Sequence, residues 1–355
     1  MRCLPPPHNK YLPSCPRQSP FSITSASPRA HCTNCNVPAQ HALSNRQSFL
    51  IPTVKMPANS AAWITTPKSS PLEVREAPYP SPGANDVVVR IAAVAINPLE
   101  YKIQDNNPPI GGKAIEYPTI LGADLAGTVV SVGSAVTTRK VGERIIANAN
   151  GAQTGRPAMS AFQRFAQIPE SATTPVPDDM SLEAAVVLPL ACDTAMAGLF
   201  VQDQLGLSTA KLEGTESASS AQGSVLLVWG GSSSVGCCAI QMAHAAGYEV
   251  YTTASKRNHA LCSSLGASKV FDHAESKVEE MIVTALEKKT VVGALDCIAD
   301  GETTVPACAR ILARSNGLKK VVTVMAPPKT GLADGVKTQR CEQTGLSSNS
   351  RGKRC

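Results

Sequence analysis

The hydrophobic pattern of the chain changes after about residue 223. Before that point, from residue 61 to about residue 177, short β-rich runs are separated by Pro, Gly and Asn. The clearest of these runs are residues 87–96, 127–132 and 142–147. Short strands with this punctuation predict a compact, mostly β domain.

An apolar segment follows the β-rich part. It opens at Ser181, a residue type that favours the helix N-cap, and reaches about residue 204. We predict one long helix here, with a kink or break at Pro189, because proline has no backbone N–H to donate within a helix. Residues 208–223 are rich in Ser, Glu and Gly and predict a loop at a domain edge.

From Ser224 onward, strands and helices alternate. The predicted strands are residues 225–229, 249–253, 270–271, 295–298 and 321–324. The predicted helices begin at Val235, near Arg257 and near Val278. Repeated βαβ units predict a parallel, doubly wound sheet, so the expected fold class is α/β.

Length and composition agree with two folded units. With 355 residues and 43% hydrophobic content, the chain can build two cores. Its longest apolar runs are far shorter than the roughly 20 residues of a membrane span, so we expect no membrane partner. The twelve cysteines lack the spacing of a secreted disulfide framework, which favours reduced thiols and a cytoplasmic location.

The net charge of +6 has one source. Residues 1–55 contain six Lys or Arg and no Asp or Glu, so the rest is close to neutral and we expect no nucleic-acid partner. We interpret residues 1–55 as a disordered leader, with Met56 as an alternative start and mitochondrial import as a minor alternative. The expected domains are then a β domain over 56–200, a dinucleotide-binding domain over 201–330 and an irregular tail over 331–355.

A turn of small residues joins the first strand of the second half to its helix. Backbone N–H groups and the helix dipole at such a helix start favour an anion. A strand, a glycine-rich turn and a helix in this order predict a pyrophosphate site for a dinucleotide. The residues that we assign to it are Gly231, Ser232, Ser233, Ser234, Val235 and Gly236.

The second strand of this unit ends at Thr253. NAD-selective proteins carry an acidic residue near that point to hold the ribose 2′-hydroxyl. Here the following residues, 254–258, are Ala-Ser-Lys-Arg-Asn and include no acid. A hydroxyl and two cations suit a 2′-phosphate, because cation–phosphate hydrogen bonds are charge-assisted. The sequence therefore predicts NADPH rather than NADH.

Five motifs extend over most of the chain. They are AINPLEYK at 95–102, PTILGADLAG at 118–127, VGERI at 141–145, GGSSSVG at 230–236 and SKRN at 255–258. Together they resemble the zinc-free medium-chain dehydrogenase/reductases, in particular quinone oxidoreductases and fungal trans-acting enoyl reductases. The resemblance covers about residues 57–330. It implies an N-terminal GroES-like β domain, a Rossmann domain and an active site in the cleft between them.

The same resemblance implies roles for individual residues. Asn97, Pro98 and Lys102 would border the nicotinamide and the substrate, with Asn97 and Lys102 as the catalytic candidates. Thr194 would contact the nicotinamide end of the cofactor. The residues expected around the 2′-phosphate and the adenine are Ser255, Lys256, Arg257, Asn258 and His273.

Zinc-dependent members of this superfamily need cysteine and histidine ligands in the β domain. Residues 42–191 contain neither, so we predict no metal and no Lewis acid for oxidising a plain alcohol. Hydride addition to a C=C conjugated with a carbonyl needs mainly orientation and a proton source. We therefore predict NADPH-dependent reduction of an α,β-unsaturated carbonyl, either a small molecule or an enoyl group on a carrier protein, with a polyketide synthase as partner. Quinone reduction is the alternative.

The sequence after residue 328 departs from the resemblance. Residues 338–355 are polar and lack periodicity, so we expect a truncated or altered C-terminus. A non-catalytic NADPH-binding protein is therefore a second alternative. The sequence leaves the oligomeric state open.

Overall fold

The β-rich first half folds into two antiparallel sheets. The computed structural model describes residues 58–107, 110, 114–209, 223–328, 330 and 332–341, so the predicted leader lies outside the described residues. The strands are β1 Asn59–Ile64, β2 Glu73–Ala77, β3 Asp86–Ala95, β4 Thr119–Ile120, β5 Asp124–Val132, β6 Arg144–Asn148, β7 Phe165–Pro169 and β8 Thr173–Pro175. The larger sheet has the order β7-β3-β5-β6-β8, and β1 lies between β2 and β4 in the smaller one.

Four α-helices accompany these sheets: α1 Pro98–Asn106, α2 Gly151–Thr154, α3 Leu182–Ala185 and α4 Pro189–Phe200. The predicted break at Pro189 is present, because residues 186–188 separate α3 from α4. Ser181 caps α3 by accepting a 3.1 Å hydrogen bond from the N–H of Ala184. Helix α4 ends four residues before the predicted end of the long helix. Helix α1 was not predicted.

The segment Leu182–Phe200 is long and apolar enough, by length and composition alone, to cross a membrane, with a mean hydropathy of 1.5. Our sequence estimate of apolar run lengths did not find this segment. Its side chains Ala191, Ala195 and Leu199 are buried in a hydrophobic cluster with residues of the second half. These contacts bury one part of the segment, while Val187 and Met196 are exposed. The expectation of no membrane partner stays a prediction.

The second half contains the predicted doubly wound sheet. Its elements are β9 Ser224–Trp229, α5 Ser234–Ala245, β10 Glu249–Ala254, α6 His259–Ser264, β11 Lys269–Asp272, α7 Val278–Leu286, β12 Thr290–Asp296, α8 Thr304–Arg314, β13 Asn316–Gly317, β14 Lys320–Thr323 and β15 Lys337–Arg340. The parallel order is β11-β10-β9-β12-β14-β15, with β13 beside β12. The strand order reverses between β9 and β12, which is where α/β sheets of this kind bind ligands. The expected α/β class, with a mostly β domain followed by a doubly wound parallel sheet, is confirmed.

Helix α8, the two-residue strand β13 and strand β15 of this half were not predicted. Helix α8 buries Val305, Ile311 and Leu312 on one face. The region after residue 330 was expected to be irregular, yet Lys337–Arg340 forms β15, parallel to β14. The amide of Gln339 donates a 2.7 Å hydrogen bond to the carbonyl oxygen of Asp203. Backbone pairing with β14 and polar contacts therefore keep β15 in the sheet. The pattern of hydrophobic residues does not predict such a strand.

Candidate active site

The glycine–serine turn after β9 is built around Ser233, the N-cap of α5. Its Oγ accepts a 3.1 Å hydrogen bond from the N–H of Gly236 and donates a 2.8 Å hydrogen bond to the carbonyl oxygen of Gly230. A Cβ added at Gly236 would lie 2.3 Å from that oxygen and 2.7 Å from the Cα of Gly231. Only glycine therefore lets the helix approach the turn this closely.

Backbone donors at this turn divide into two groups. The N–H of Gly231 is bonded to the carbonyl oxygen of Thr253 at 2.8 Å, which ties the turn to the end of β10. Ser234 and Val235 open α5, and the first N–H groups of a helix have no acceptor within it. The dipole of this 12-residue helix adds partial positive charge at the same end. Of the predicted pyrophosphate residues, Ser234 and Val235 thus offer the donors that suit an anion, and Gly231 and Gly236 shape the turn.

The ends of β10 and β11 bring two predicted cofactor residues together. Ala254 and Asp272 are paired in the parallel register, so the next residues, Ser255 and His273, lie side by side. The Oγ of Ser255 is 3.1 Å from Nε2 of His273, within hydrogen-bond distance. Ser255 also precedes the 3-10 turn Lys256–Asn258.

Lys256 and Arg257 are exposed on this turn. Within the described residues, neither forms a salt bridge with a carboxylate. Two unpaired cations next to a serine hydroxyl form a site that fits a phosphate monoester. The residues present here therefore fit the 2′-phosphate of NADPH.

The predicted nicotinamide side is built on the start of α1. Asn97 is the N-cap of α1, and Pro98 is the first residue of the helix. Lys102 follows Pro98 by four positions, so the two lie on the same face of α1. Lys102 is half-buried.

Buried Glu100 anchors this helix start. Its Oε2 accepts a 2.7 Å hydrogen bond from the N–H of Asn97, and its Oε1 accepts a 2.9 Å hydrogen bond from the N–H of Ala123, just before β5. Burial raises the pKa of the Glu100 carboxyl, while the backbone hydrogen bonds oppose that rise. The position of Asn97 therefore depends on a carboxylate that sequence reasoning did not select.

Asp124, at the start of β5, links α1 to α4. Its side chain is fully buried. Oδ2 accepts a 2.9 Å hydrogen bond from Nδ2 of Asn97, and Oδ1 accepts a 2.7 Å hydrogen bond from the N–H of Leu190 in the first turn of α4. Burial raises the pKa of Asp124 to about 6, and these two hydrogen bonds oppose the rise. The pKa of this carboxyl is therefore shifted from its ordinary value towards neutral pH.

A second carboxyl, Asp193, lies near this link. Its Oδ2 accepts a 2.8 Å hydrogen bond from Nδ2 of Asn148, whose Oδ1 is buried with no hydrogen-bond partner among the described residues. Asp193 keeps solvent contact, and partial desolvation raises its pKa. Its charge also adds to the rise at Asp124. The next residue, Thr194, accepts a hydrogen bond at its carbonyl oxygen from the Sγ of Cys341 at 3.3 Å.

Sequence reasoning missed Glu100, Asp124 and Asn148 as parts of this site. A signal was present for Glu100, because Asn at a helix start followed three residues later by Glu is the capping-box spacing. The Asp124 carboxyl accepts hydrogen bonds from Asn97 and Leu190, which lie far from it in the sequence, so these contacts have no such signal. Within the described ranges, no group of three or more His, Cys, Asp or Glu side chains is placed to hold a metal ion. Metal-free chemistry stays a prediction.

A GroES-like domain joined to a dinucleotide cradle at the switch point of a Rossmann sheet defines a nicotinamide-dependent oxidoreductase. Residues 83–178 match the family model described as alcohol dehydrogenase GroES-like domain, and residues 234–330 match the one described as zinc-binding dehydrogenase. The chain belongs to the medium-chain dehydrogenase/reductase superfamily, as its motifs predicted.

Fungal relatives share much of the sequence. The chain is 42% identical to dehydrogenase pigH of Monascus ruber over 274 residues, 77% of this chain and 72% of the relative. It is 38% identical to trans-enoyl reductase himH of Aspergillus japonicus, over 79% of this chain and 77% of the relative. Among solved structures, a quinone oxidoreductase of Pseudomonas syringae pv. Tomato DC3000 has a TM-score of 0.60 and 22% identity, with 80% of this chain and 82% of that chain covered. This structural similarity shows the shared fold.

Proposed function

We propose that this protein catalyses the NADPH-dependent, metal-free reduction of an α,β-unsaturated carbonyl. The observation that carries the proposal is the end of β10, where Ser255 lies beside His273, residues 254–258 include no acid, and Lys256 has no carboxylate partner within the described residues. An acidic residue at this place would favour the 2′-hydroxyl of NADH and repel a 2′-phosphate. The charge of this end favours NADPH.

The choice of substrate rests on the donor atoms available in the β domain. Residues 42–191 contain no Cys and no His, the ligand types that zinc sites of this superfamily require there. A C=C conjugated with a carbonyl is already polarised, so its reduction needs orientation and charge stabilisation more than a Lewis acid. A relative with 38% identity that is named a trans-enoyl reductase supports the same substrate class.

Bound NADPH would supply the hydride, and the residues of the chain would position the reactants. The Nδ2 of Asn97 donates to Asp124, and this hydrogen bond fixes the orientation of the Asn97 amide at the start of α1. Pro98 shapes the same face of α1. Lys102 on that face would stabilise negative charge that develops on the substrate carbonyl oxygen. Thr194 would contact the nicotinamide end.

The physiological form of the substrate follows from the same substrate class. We propose an enoyl thioester bound to a carrier protein, with a polyketide synthase as the partner protein. The free thioester would be the small-molecule form of the same substrate. Several relatives at 38% identity are named trans-enoyl reductases, which supports this choice.

The test begins with cofactor choice. Thermal unfolding of the full chain is measured with NADPH and with NADH, and NADPH should raise the melting temperature more. The Lys256→Ala variant should raise the KM for NADPH about tenfold, as expected for loss of a phosphate contact of about 1.4 kcal/mol, and leave NADH use unchanged. Lys288→Ala is the matched control, because Lys288 is an exposed lysine just before the amino end of β12, whereas Lys256 follows the carboxyl end of the parallel strand β10. An equal loss for both cofactors would contradict the phosphate role.

The substrate is then tested by following NADPH oxidation with enoyl thioesters, quinones and plain alcohols. Turnover of enoyl thioesters in the presence of a chelator is the expected result. Turnover of quinones alone would replace the substrate assignment with the alternative. Activity only with an alcohol and added zinc would overturn the proposal. NADPH binding without turnover of any of them would identify a non-catalytic binding protein.

A further inference from the structure

A pair of cysteines lies between the two helices that flank the predicted cofactor site. Within the described residues, none of the seven cysteines is in a disulfide. Two of them approach each other directly, with the Sγ of Cys192 3.7 Å from the Sγ of Cys238. Cys192 belongs to α4 and Cys238 to α5. The contact is therefore tertiary, and the two residues are far apart in sequence.

The two thiols have different environments. Cys192 is half-buried and therefore reachable from solvent, whereas Cys238 is only 7% exposed. Cys192 also lies in the first turns of the 12-residue helix α4, whose dipole favours a negative charge there. Such an arrangement suits an attacking thiolate at Cys192 and a resolving thiol at Cys238.

The hydrogen bond between them acts in the same direction. It lowers the pKa of Cys192, although partial burial and the charges of Asp193 and Asp124 oppose that change. The same bond raises the pKa of Cys238, and burial adds to the rise. Cys192 is therefore the member of the pair that ionises first.

We propose that Cys192 and Cys238 are a modification site for peroxide-class oxidants, at which an intrachain disulfide forms between α4 and α5. The thiolate of Cys192 attacks one oxygen of hydrogen peroxide, the O–O bond breaks, and a sulfenic acid and hydroxide form. The hydroxide takes up the proton that Cys192 released. The sulfur of Cys238 then attacks the sulfenic sulfur, the S–O bond breaks, and the oxygen leaves as water with the proton of Cys238.

The overall change balances. Two thiols lose two electrons and two protons, and one peroxide is reduced to two water molecules. The two sulfurs must approach from 3.7 Å to the bond length of about 2.05 Å. The disulfide ties the helix that contains Thr194 to the helix that starts at the glycine–serine turn. This modification is independent of the proposed substrate.

The experiment uses the full chain, first reduced and then exposed to increasing hydrogen peroxide. Remaining thiols are alkylated, and a digest is analysed by mass spectrometry. The expected product is a peptide pair that joins Cys192 to Cys238, with the loss of two hydrogens, and that disappears after treatment with dithiothreitol. Half of Cys192 should react at a peroxide concentration at least about tenfold lower than that needed for the buried thiol Cys308, since exposure and thiolate character set the rate.

Two variants make the test specific. Cys238→Ala should leave Cys192 as a sulfenic acid that dimedone traps, with no disulfide. Cys237→Ser is the matched control, because Cys237 is the neighbouring half-buried thiol on α5. This variant should form the same disulfide as the wild-type chain. The proposal is overturned if Cys192 stays fully alkylatable at peroxide levels that oxidise Cys308. A link from Cys192 to Cys237, with Cys238 unreacted, would overturn it equally.

Discussion

Asn97 and Asp124 are joined by a 2.9 Å hydrogen bond from amide Nδ2 to carboxyl Oδ2, across the buried boundary between α1 and β5. The other carboxyl oxygen of Asp124 accepts from the backbone of Leu190 in α4. One buried carboxyl thus holds a predicted catalytic side chain and the helix that contains Thr194.

The stability of the protein should depend on the ionisation of Asp124. Burial raises its pKa from the ordinary 3.8 to about 6, so the folded chain holds this proton more tightly than the unfolded chain does. This contribution to stability is complete below pH 3.8 and is lost as the pH rises through about 6. The free energy of unfolding should change by an amount on the order of 3 kcal/mol across this range.

Asp124→Asn should lack this contribution. The melting temperatures of both proteins are measured from about pH 4 to about pH 8. The melting temperature of the wild-type protein minus that of the variant should decrease as the pH rises, because only the wild-type protein ionises Asp124. The other buried carboxyls are common to both proteins. A difference that is independent of pH, or that grows with pH, would contradict the raised pKa.

Removal of the Glu100 side chain should cost stability through two orphaned donors. Glu100→Ala leaves the N–H groups of Asn97 and Ala123 without their acceptor, and each such buried loss costs about 1–3 kcal/mol. Glu100→Gln keeps one acceptor oxygen and should lose less. Urea unfolding measures both, with Glu116→Ala at an exposed position as control. Equal midpoints for the Ala and Gln variants would show that these hydrogen bonds contribute nothing.

Gly236→Ala should damage the cofactor cradle. The new Cβ would lie 2.3 Å from the carbonyl oxygen of Gly230, and this backbone atom cannot move aside without shifting the turn. We expect a loss of about 1–3 kcal/mol of stability and of the thermal shift that NADPH produces. Gly301→Ala is the control, since its nearest atoms would be 3.8 Å away. The cradle assignment fails if both variants respond to NADPH as the unmodified protein does.

Ser255 and His273 should act as a unit in cofactor binding. Their side chains are within hydrogen-bond distance, so replacing either by Ala removes the same contact. A double-mutant cycle on NADPH affinity should give a coupling energy of about 0.5 kcal/mol or more. The same cycle with NADH is the internal control, and its coupling should be smaller. Strictly additive losses with NADPH would separate the two residues functionally.

Much of the Rossmann half could be predicted because its strands are buried and continuous. Ser224–Trp229 is an apolar run followed by a glycine turn; the strand has the expected bounds within one residue, and the helix after it begins one residue before the expected start at Val235. Helix α1 escaped prediction for a physical reason. It buries only Glu100 and Ile103, so it has no apolar stripe of helical period.

The candidate site divides in the same way. The phosphate end is local in sequence, because a turn and a strand end contain all of its residues. The carboxyl network is not local. Asp124 meets Asn97, 27 positions earlier, and Leu190, 66 positions later, through contacts that only the folded chain creates. Secondary-structure patterns carry no information about such pairs.

The polar strand β15 has a consequence for how this protein behaves in concentrated solution. It is the last strand of the parallel sheet among the strands that the structure describes, and it begins with Lys337 and ends with Arg340. An open strand edge invites pairing with another molecule, and like charges on that edge oppose it. An apolar strand in this place would expose a template for edge-to-edge aggregation. The polar residues of β15, which prevented its prediction from the hydrophobic pattern, therefore favour colloidal stability.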